Sequence, residues 1–364
     1  MNNFKKLLLS VACVLTSTVC AAQTELSVVE GSLFGRPFST QVDNEFAATM
    51  LTNREDSSVV NLFASHQNDE LTDELLKNIT KEYSLNVATL FLVERLYQQE
   101  RNRRLQDFYL STIDTLAASR LEQQLSFLQD FYIVFVPAFN YESNAGNFWE
   151  QRELLEAAKI SQEIIKTQQW GLVEENAELI AKQLQEISKS HRNVIVISVS
   201  KGGLETALAL EKISDAETLS TIKAWINVSG ILKGSPAADY WNIPKKKFWL
   251  RCGLFFSGTW GVPLNQLLND LSYKRRKQEA HTIAIPRNIY TINFITGKLW
   301  QKKDRSDIVI PSDGYSPLLD ELVTDGDVAI EMNADHTFKG VNLNVRMVAL
   351  LRYIVNEIMN NEYL

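Results

Sequence analysis

Asn193-Val-Ile-Val-Ile-Ser-Val-Ser-Lys-Gly-Gly-Leu204 is the stretch on which the reading of this chain turns. A polar turn leads into four consecutive β-branched residues, Val194 to Ile197, the composition of a strand buried on both faces. Ser198-Val199-Ser200-Lys201-Gly202-Gly203 follows, and a helical run begins at Leu204. A serine at a sharp strand-to-helix turn has its hydroxyl lifted above the sheet, beside the positive end of the helix. So tight a turn needs small residues two before and two after the serine. Ser198 and Gly202 stand there, and Gly203 adds another. The stretch reads as a nucleophile elbow in which Ser198 takes the place of the usual first glycine. The plainer reading makes Ser200 only a helix N-cap.

Outward from the elbow, strand patterns alternate with helical ones. Phe131 to Val136 reads as a buried strand, followed by the loop Pro137-Ala138-Phe139-Asn140-Tyr141. A helix is expected from about Phe148 to Glu163, a short strand at Ile164–Thr167, and a helix from Glu174 with Ala177, Ile180, Ala181, Leu184 and Ile187 on one face. Further strands are expected at Lys223–Val228, Ile289–Ile295 and Val328–Met332, and a last helix from about Asn342 to Met359. Strands alternating with helices in this way imply an α/β fold, a mostly parallel sheet with helices on both faces. The texture before it differs. Residues 23–128 read as a helical N-terminal extension, with helices opening at Thr72, running from Asn86 to Arg101 and from Arg104 to Leu116. The main domain is then 129–364, with an insertion at 235–286.

A serine hydroxyl is a poor nucleophile at neutral pH and needs a base. His336, in Asn333-Ala-Asp-His-Thr337, follows the last expected strand and so belongs at the carboxyl edge of the sheet, level with the elbow. The base needs an acid that fixes its tautomer and stabilises the imidazolium. Asp304, Asp307 and Asp313 all follow the strand ending near Ile295. Asp313 is preferred because Gly314 permits a sharp turn, and Asp307 is the alternative. Asp335 reads as structural. An oxyanion formed in acyl transfer needs backbone N–H donors. One is expected from Lys201 and the other from Ala138 or Phe139, in the loop after the first strand of the main domain.

The bulk properties narrow the partners and the compartment. The chain has 364 residues, 45% hydrophobic and 22% charged, with a net charge of −7. Nothing in that balance points to nucleic acid. Met1-Asn-Asn-Phe-Lys-Lys6 followed by an apolar run to Cys20 reads as a cleavable signal peptide, 1–22, with small residues before Ala22 or Gln23. Export to the periplasm or beyond is therefore expected. Cys13 and Cys20 lie in that signal, leaving Cys252 without an intrachain partner. His66, His191, His281 and His336 are too dispersed for a zinc site, so no metal and no cofactor is expected.

The order Ser200, Asp313, His336 on strand–turn–helix scaffolding resembles the α/β-hydrolase fold. Phe135-Val-Pro-Ala-Phe139, Ser198-Val-Ser-Lys-Gly202, Gly234-Ser-Pro-Ala-Ala-Asp239 and Ala334-Asp-His336 are similar to segments of bacterial serine esterases and lipases. The resemblance covers Phe131 to Leu364. It implies an exported serine hydrolase that cleaves carboxylic esters, lipid or acyl esters among them, through an acyl-enzyme. The alternatives are an acyltransferase, which uses the same residues, and a catalytically silent binding or host-interaction protein that keeps the fold. It also implies that 235–286 is a cap. Its Tyr240, Trp241, Phe248, Trp249, Phe255, Phe256 and Trp260 suit an apolar acyl chain or form the cap's own core. Lys245, Lys246 and Lys247 beside them suit a transient membrane-surface contact.

Overall fold

The computed structural model describes residues 27–116, 120–143, 145–256, 261–279, 283–299 and 309–361. The expected signal peptide therefore lies outside the described residues, as do Asp304, Asp307, His281 and Trp260.

Strands β1 (Ser27–Leu33) and β2 (Arg36–Val42) form an antiparallel hairpin. The main sheet holds β3 (Tyr132–Val136), β4 (Gln162–Ile164), β5 (Val194–Val199), β6 (Ile222–Val228), β7 (Tyr290–Gly297) and β8 (Asp327–Met332). Its order is β4-β3-β5-β6-β7-β8, and every pairing is parallel. The chain leaves β3 toward β4 on one side, then crosses back to lay β5 against the other side of β3. The loops after β3 and β5 diverge at that reversal. A crevice opens there at the carboxyl ends of the strands, where open α/β sheets bind ligands.

Both faces of the sheet are covered, as the β-branched run at 194–197 requires. Ile195 and Ile197 of β5 point with Ile133, Phe135, Ile226 and Phe294 into a core closed by the C-terminal helix Leu343–Asn361. Val194 and Val196 point with Val134, Val136 and Trp225 into a second core closed by the helices Val173–Ser188 and Lys201–Lys212. The period-2 alternation of a strand thus fills two apolar layers from one continuous apolar sequence.

Two expectations in this region need correction. The helix expected over 148–163 ends at Ala157, and the strand expected over 164–167 lies at Gln162–Ile164. Lys159 at φ 58 turns the chain in a conformation that non-glycine residues rarely adopt, and the turn brings β4 into register earlier.

The N-terminal extension opens with the hairpin rather than a helix and continues as helices Glu45–Thr52, Ser57–Ser65, Asp73–Glu82, Leu85–Tyr97 and Glu100–Leu116. It packs on the β8 side of the sheet, where its core includes Ile295, Val328 and Ile330. Helix Glu100–Leu116 supplies what an open strand edge lacks. The Asn102 side chain accepts from Val328 N–H at 2.8 Å. Gln106 accepts from Ile330 N–H at 2.8 Å and donates to its carbonyl at 2.9 Å. Two side chains four residues apart stand in for a further strand and close the edge of β8.

Candidate active site

Ser200 joins β5 to the helix Lys201–Lys212 with φ 57 and ψ −120, a conformation that L-residues hold only where the surroundings impose it. Its backbone N–H donates to the Val228 carbonyl at 3.0 Å, and its carbonyl accepts from Gly203 at 3.0 Å and Ile231 at 3.2 Å. The side chain makes no capping bond to the helix, which removes the N-cap reading.

The small residues around Ser200 are demanded by contact. A Cβ on Gly202 would lie 2.5 Å from the Pro137 carbonyl oxygen, and one on Gly203 would lie 2.7 Å from Gly230 Cα. Ser198 departs from glycine for a visible reason: its buried hydroxyl accepts a 2.8 Å hydrogen bond from the Trp225 indole on β6. Beneath the elbow, Lys201 is buried and pairs with the carboxylate of Glu205, one helical turn on. Glu205 also accepts from Asn176 at 2.7 Å. Burial pushes Glu205 up to about 7 despite the pull of Lys201.

The structure brings Ser200, Asp313 and His336 together. His336 Nε2 lies 2.8 Å from Ser200 Oγ, and its Nδ1 bonds to Asp313 Oδ2. The His336 backbone N–H also donates to the Asp313 carbonyl at 3.0 Å, so one residue orients both backbone and ring. Asp313 is itself fixed. Its Oδ1 accepts from Tyr315 N–H at 2.8 Å and Ser316 N–H at 2.9 Å, in a turn that Gly314 makes at φ 98. Tyr315 stacks on the imidazole with ring centroids 4.7 Å apart. Its carbonyl accepts from the Ser235 hydroxyl at 2.6 Å. Asp335 is occupied locally, accepting from the Thr337 N–H and hydroxyl. Tyr315, Glu205 and the Trp225–Ser198 bond have no signal in the sequence pattern, since each depends on partners distant along the chain.

One oxyanion expectation meets an obstacle. The Ala138 N–H already donates to the Gly146 carbonyl at 3.0 Å, so in this arrangement it is committed away from an oxyanion. Lys201 N–H sits at the first position of the helix, where main-chain donors have no intrahelical partner.

A cavity of about 540 Å³ opens over Ser200 and His336. Leu250, Leu254, Leu264, Leu267, Leu268 and Leu271 of the cap roof it, with Trp241 and Trp170, and Phe294, Met347 and Leu350 lie beneath. The aromatic cap divides between the cavity and solvent. Trp241 lines the cavity, whereas Phe248, Trp249, Phe255 and Phe256 are 60%, 61%, 52% and 68% exposed. The helix that carries them, Pro244–Phe256, has no buried residue.

A parallel sheet of order β4-β3-β5-β6-β7-β8, an elbow after β5, an acid after β7 and a histidine after β8 define the α/β-hydrolase fold. No family model matches the sequence, and the comparison with curated proteins gives no match. Among solved structures, the chain is similar to a metagenomic carboxyl esterase (15% identity, 63% of this chain and 76% of the other, TM-score 0.45). It is similar to a mature lipase from Bacillus licheniformis (19%, 61% and 92%, TM-score 0.46). It is also similar to phospholipase PlaB from Legionella pneumophila (11%, 63% of each chain, TM-score 0.44). At these scores and identities the fold rests on the strand order and elbow of this chain itself.

Proposed function

We propose that the protein is a serine hydrolase that cleaves carboxylic esters with an apolar acyl part. The observation that carries this is the hydrogen-bonded line from Asp313 through His336 to Ser200 Oγ, which ends at the floor of an apolar cavity. Ser200 Oγ attacks the ester carbonyl carbon as His336 Nε2 takes its proton. Asp313 holds the opposite ring nitrogen and stabilises the imidazolium. The carbonyl oxygen, now an oxyanion, is received by the backbone N–H of Lys201 and of Phe139. On collapse the imidazolium gives its proton to the leaving alcohol, and an acyl-enzyme remains. Water, deprotonated by His336, then releases the acid and restores Ser200. Transfer to an acceptor other than water uses the same groups and differs only in the product.

The cap supports a partner for this reaction. Its outer helix presents four exposed rings with exposed Lys245 and Arg251, and no acidic residue lies in Pro244–Phe256. That composition suits a transient seat on an anionic lipid surface. Export by a cleaved signal belongs to the same proposal, and sequencing the N-terminus of protein recovered outside the cytoplasm tests it: Ala22 or Gln23 is expected first. The hydrolytic reading is tested with p-nitrophenyl esters of graded acyl length. Wild type turns them over and Ser200→Ala loses at least about 10⁴-fold in kcat. Unchanged turnover in Ser200→Ala overturns the reading.

A further inference from the structure

Behind the relay lies a second carboxyl group. Glu321 closes the short 3-10 turn Leu318–Glu321 and is 0% exposed. No donor reaches either of its carboxylate oxygens among the described residues. Its carboxyl instead lies beside that of Asp313, whose negative charge bears on it. Two buried carboxylates that close cannot both carry charge, so the pair must hold a proton.

The donors decide which partner holds it. Asp313 receives three: Tyr315 N–H, Ser316 N–H and His336 Nδ1–H. Glu321 receives none at its side chain, and the single bond at this residue that involves Asn227 is to its backbone carbonyl, 2.9 Å from Nδ2. The remaining charged neighbour is Asp320 on the same turn. It is held by Lys233 Nζ at 2.7 Å, Tyr273 hydroxyl at 2.6 Å and Lys277 Nζ at 3.2 Å, so those cations are already committed. Burial and the charges of Asp313 and Asp320 push Glu321 well above the ordinary carboxyl range, in the same sense as the geometry.

We propose that Glu321 is a positioning residue of the relay: it stays a neutral acid whose O–H donates to the Asp313 carboxylate, so that the pair behind His336 carries one proton and one negative charge. This rests on the hydrolytic reading for its consequence, though not for its structure. The bond draws charge from Asp313 and pins its carboxyl plane against the imidazole. Asp313 is then a weaker base and leaves the proton on Nδ1 when His336 becomes imidazolium. Without the donor, Asp313 holds the imidazolium more strongly, and a higher pH is needed to free Nε2 as a base.

Two variants separate this from a merely structural role. Glu321→Gln keeps a donor of the same shape, and Glu321→Leu removes it. The infrared spectrum of the protein at about pH 8.5, where ordinary carboxyls are ionised, should contain a protonated-carboxyl band that Glu321→Gln lacks. Glu321→Gln should keep kcat within about threefold and leave the acid limb of kcat/KM in place. Glu321→Leu should lose about tenfold in kcat with KM little changed, and its acid limb should move up by about one pH unit. No band difference between wild type and Glu321→Gln overturns the proposal, as does a Glu321→Leu protein whose acid limb is unmoved. Full activity in Ser200→Ala would instead sink the hydrolytic reading, and the infrared band would still decide the state of Glu321.

Discussion

The two walls of the cavity are built on opposite principles. The floor, from β5 through the elbow, is over-determined: Gly202 touches the Pro137 carbonyl, Gly203 touches Gly230, and Ser198 is tied to Trp225. A strained φ of 57 at Ser200 survives because each neighbour forbids the alternatives. The roof is the reverse. Helix Pro244–Phe256 buries no residue, lays Leu250 and Leu254 over the cavity and turns its rings outward. On this account the floor sets the chemistry and the roof sets what enters, so substitutions on the two walls should fail in different ways.

The sharpest way to break that contrast is Gly202→Ala. The added methyl meets main chain with no flexible side chain to yield, so the elbow must shift. A loss on the order of 2–4 kcal/mol in unfolding free energy is expected, with at least about 10²-fold in kcat. Denaturant melts and initial rates check both, and an undisturbed Gly202→Ala protein would show that the floor is not rigid.

Leu267→Trp acts on the roof. Filling the cavity should leave short-acyl esters within about twofold while long-acyl esters lose about tenfold in kcat/KM, as two displaced methylenes would at about 0.8 kcal/mol each. A uniform loss across acyl lengths would mean that the acyl chain does not lie under Leu267.

On the outer surface, Phe255→Ser with Phe256→Ser should change stability by no more than about 0.5 kcal/mol and leave soluble esters alone. Sedimentation with phosphatidylglycerol vesicles should fall several-fold. Equal sedimentation would remove the lipid-facing role of the cap.

A further effect, read in stability against pH, is a slope beneath the floor. In the unfolded chain Glu205 loses its proton at its ordinary 4.5, whereas in the fold it keeps it to about 7. Its contribution to stability is therefore full below 4.5 and is lost as pH rises to about 7, with no further change above. Glu205→Gln should flatten the melting temperature across that window, and an unchanged slope would place the titration elsewhere.

Much of the floor could be read from the sequence because its signals are local. Val194–Ile197 is β-branched throughout, Gly202 and Gly203 adjoin Ser200, and Gly314 adjoins Asp313. The structure sets Asp313 against His336, while Asp307 lies outside the described residues. What escaped the sequence depends on exceptions or on distant partners. The β1–β2 hairpin turns on Phe34 and Gly35, both at positive φ, and a phenylalanine there gives no turn signal. Its ring is buried in the N-terminal core, and that burial holds the strained backbone. Glu321, in Leu318-Leu-Asp-Glu321, looks like a solvated turn until Asp313 is folded against it. The cap misled in another way: aromatic density marks apolar surface without saying which side of a helix faces out.

The most direct measurement is labelling by an active-site-directed fluorophosphonate, followed by peptide mass spectrometry. One adduct per chain is expected, on Ser200, formed more slowly in acid and absent in Ser200→Ala. An adduct on another residue, or none in a folded protein that still hydrolyses esters, would contradict the account.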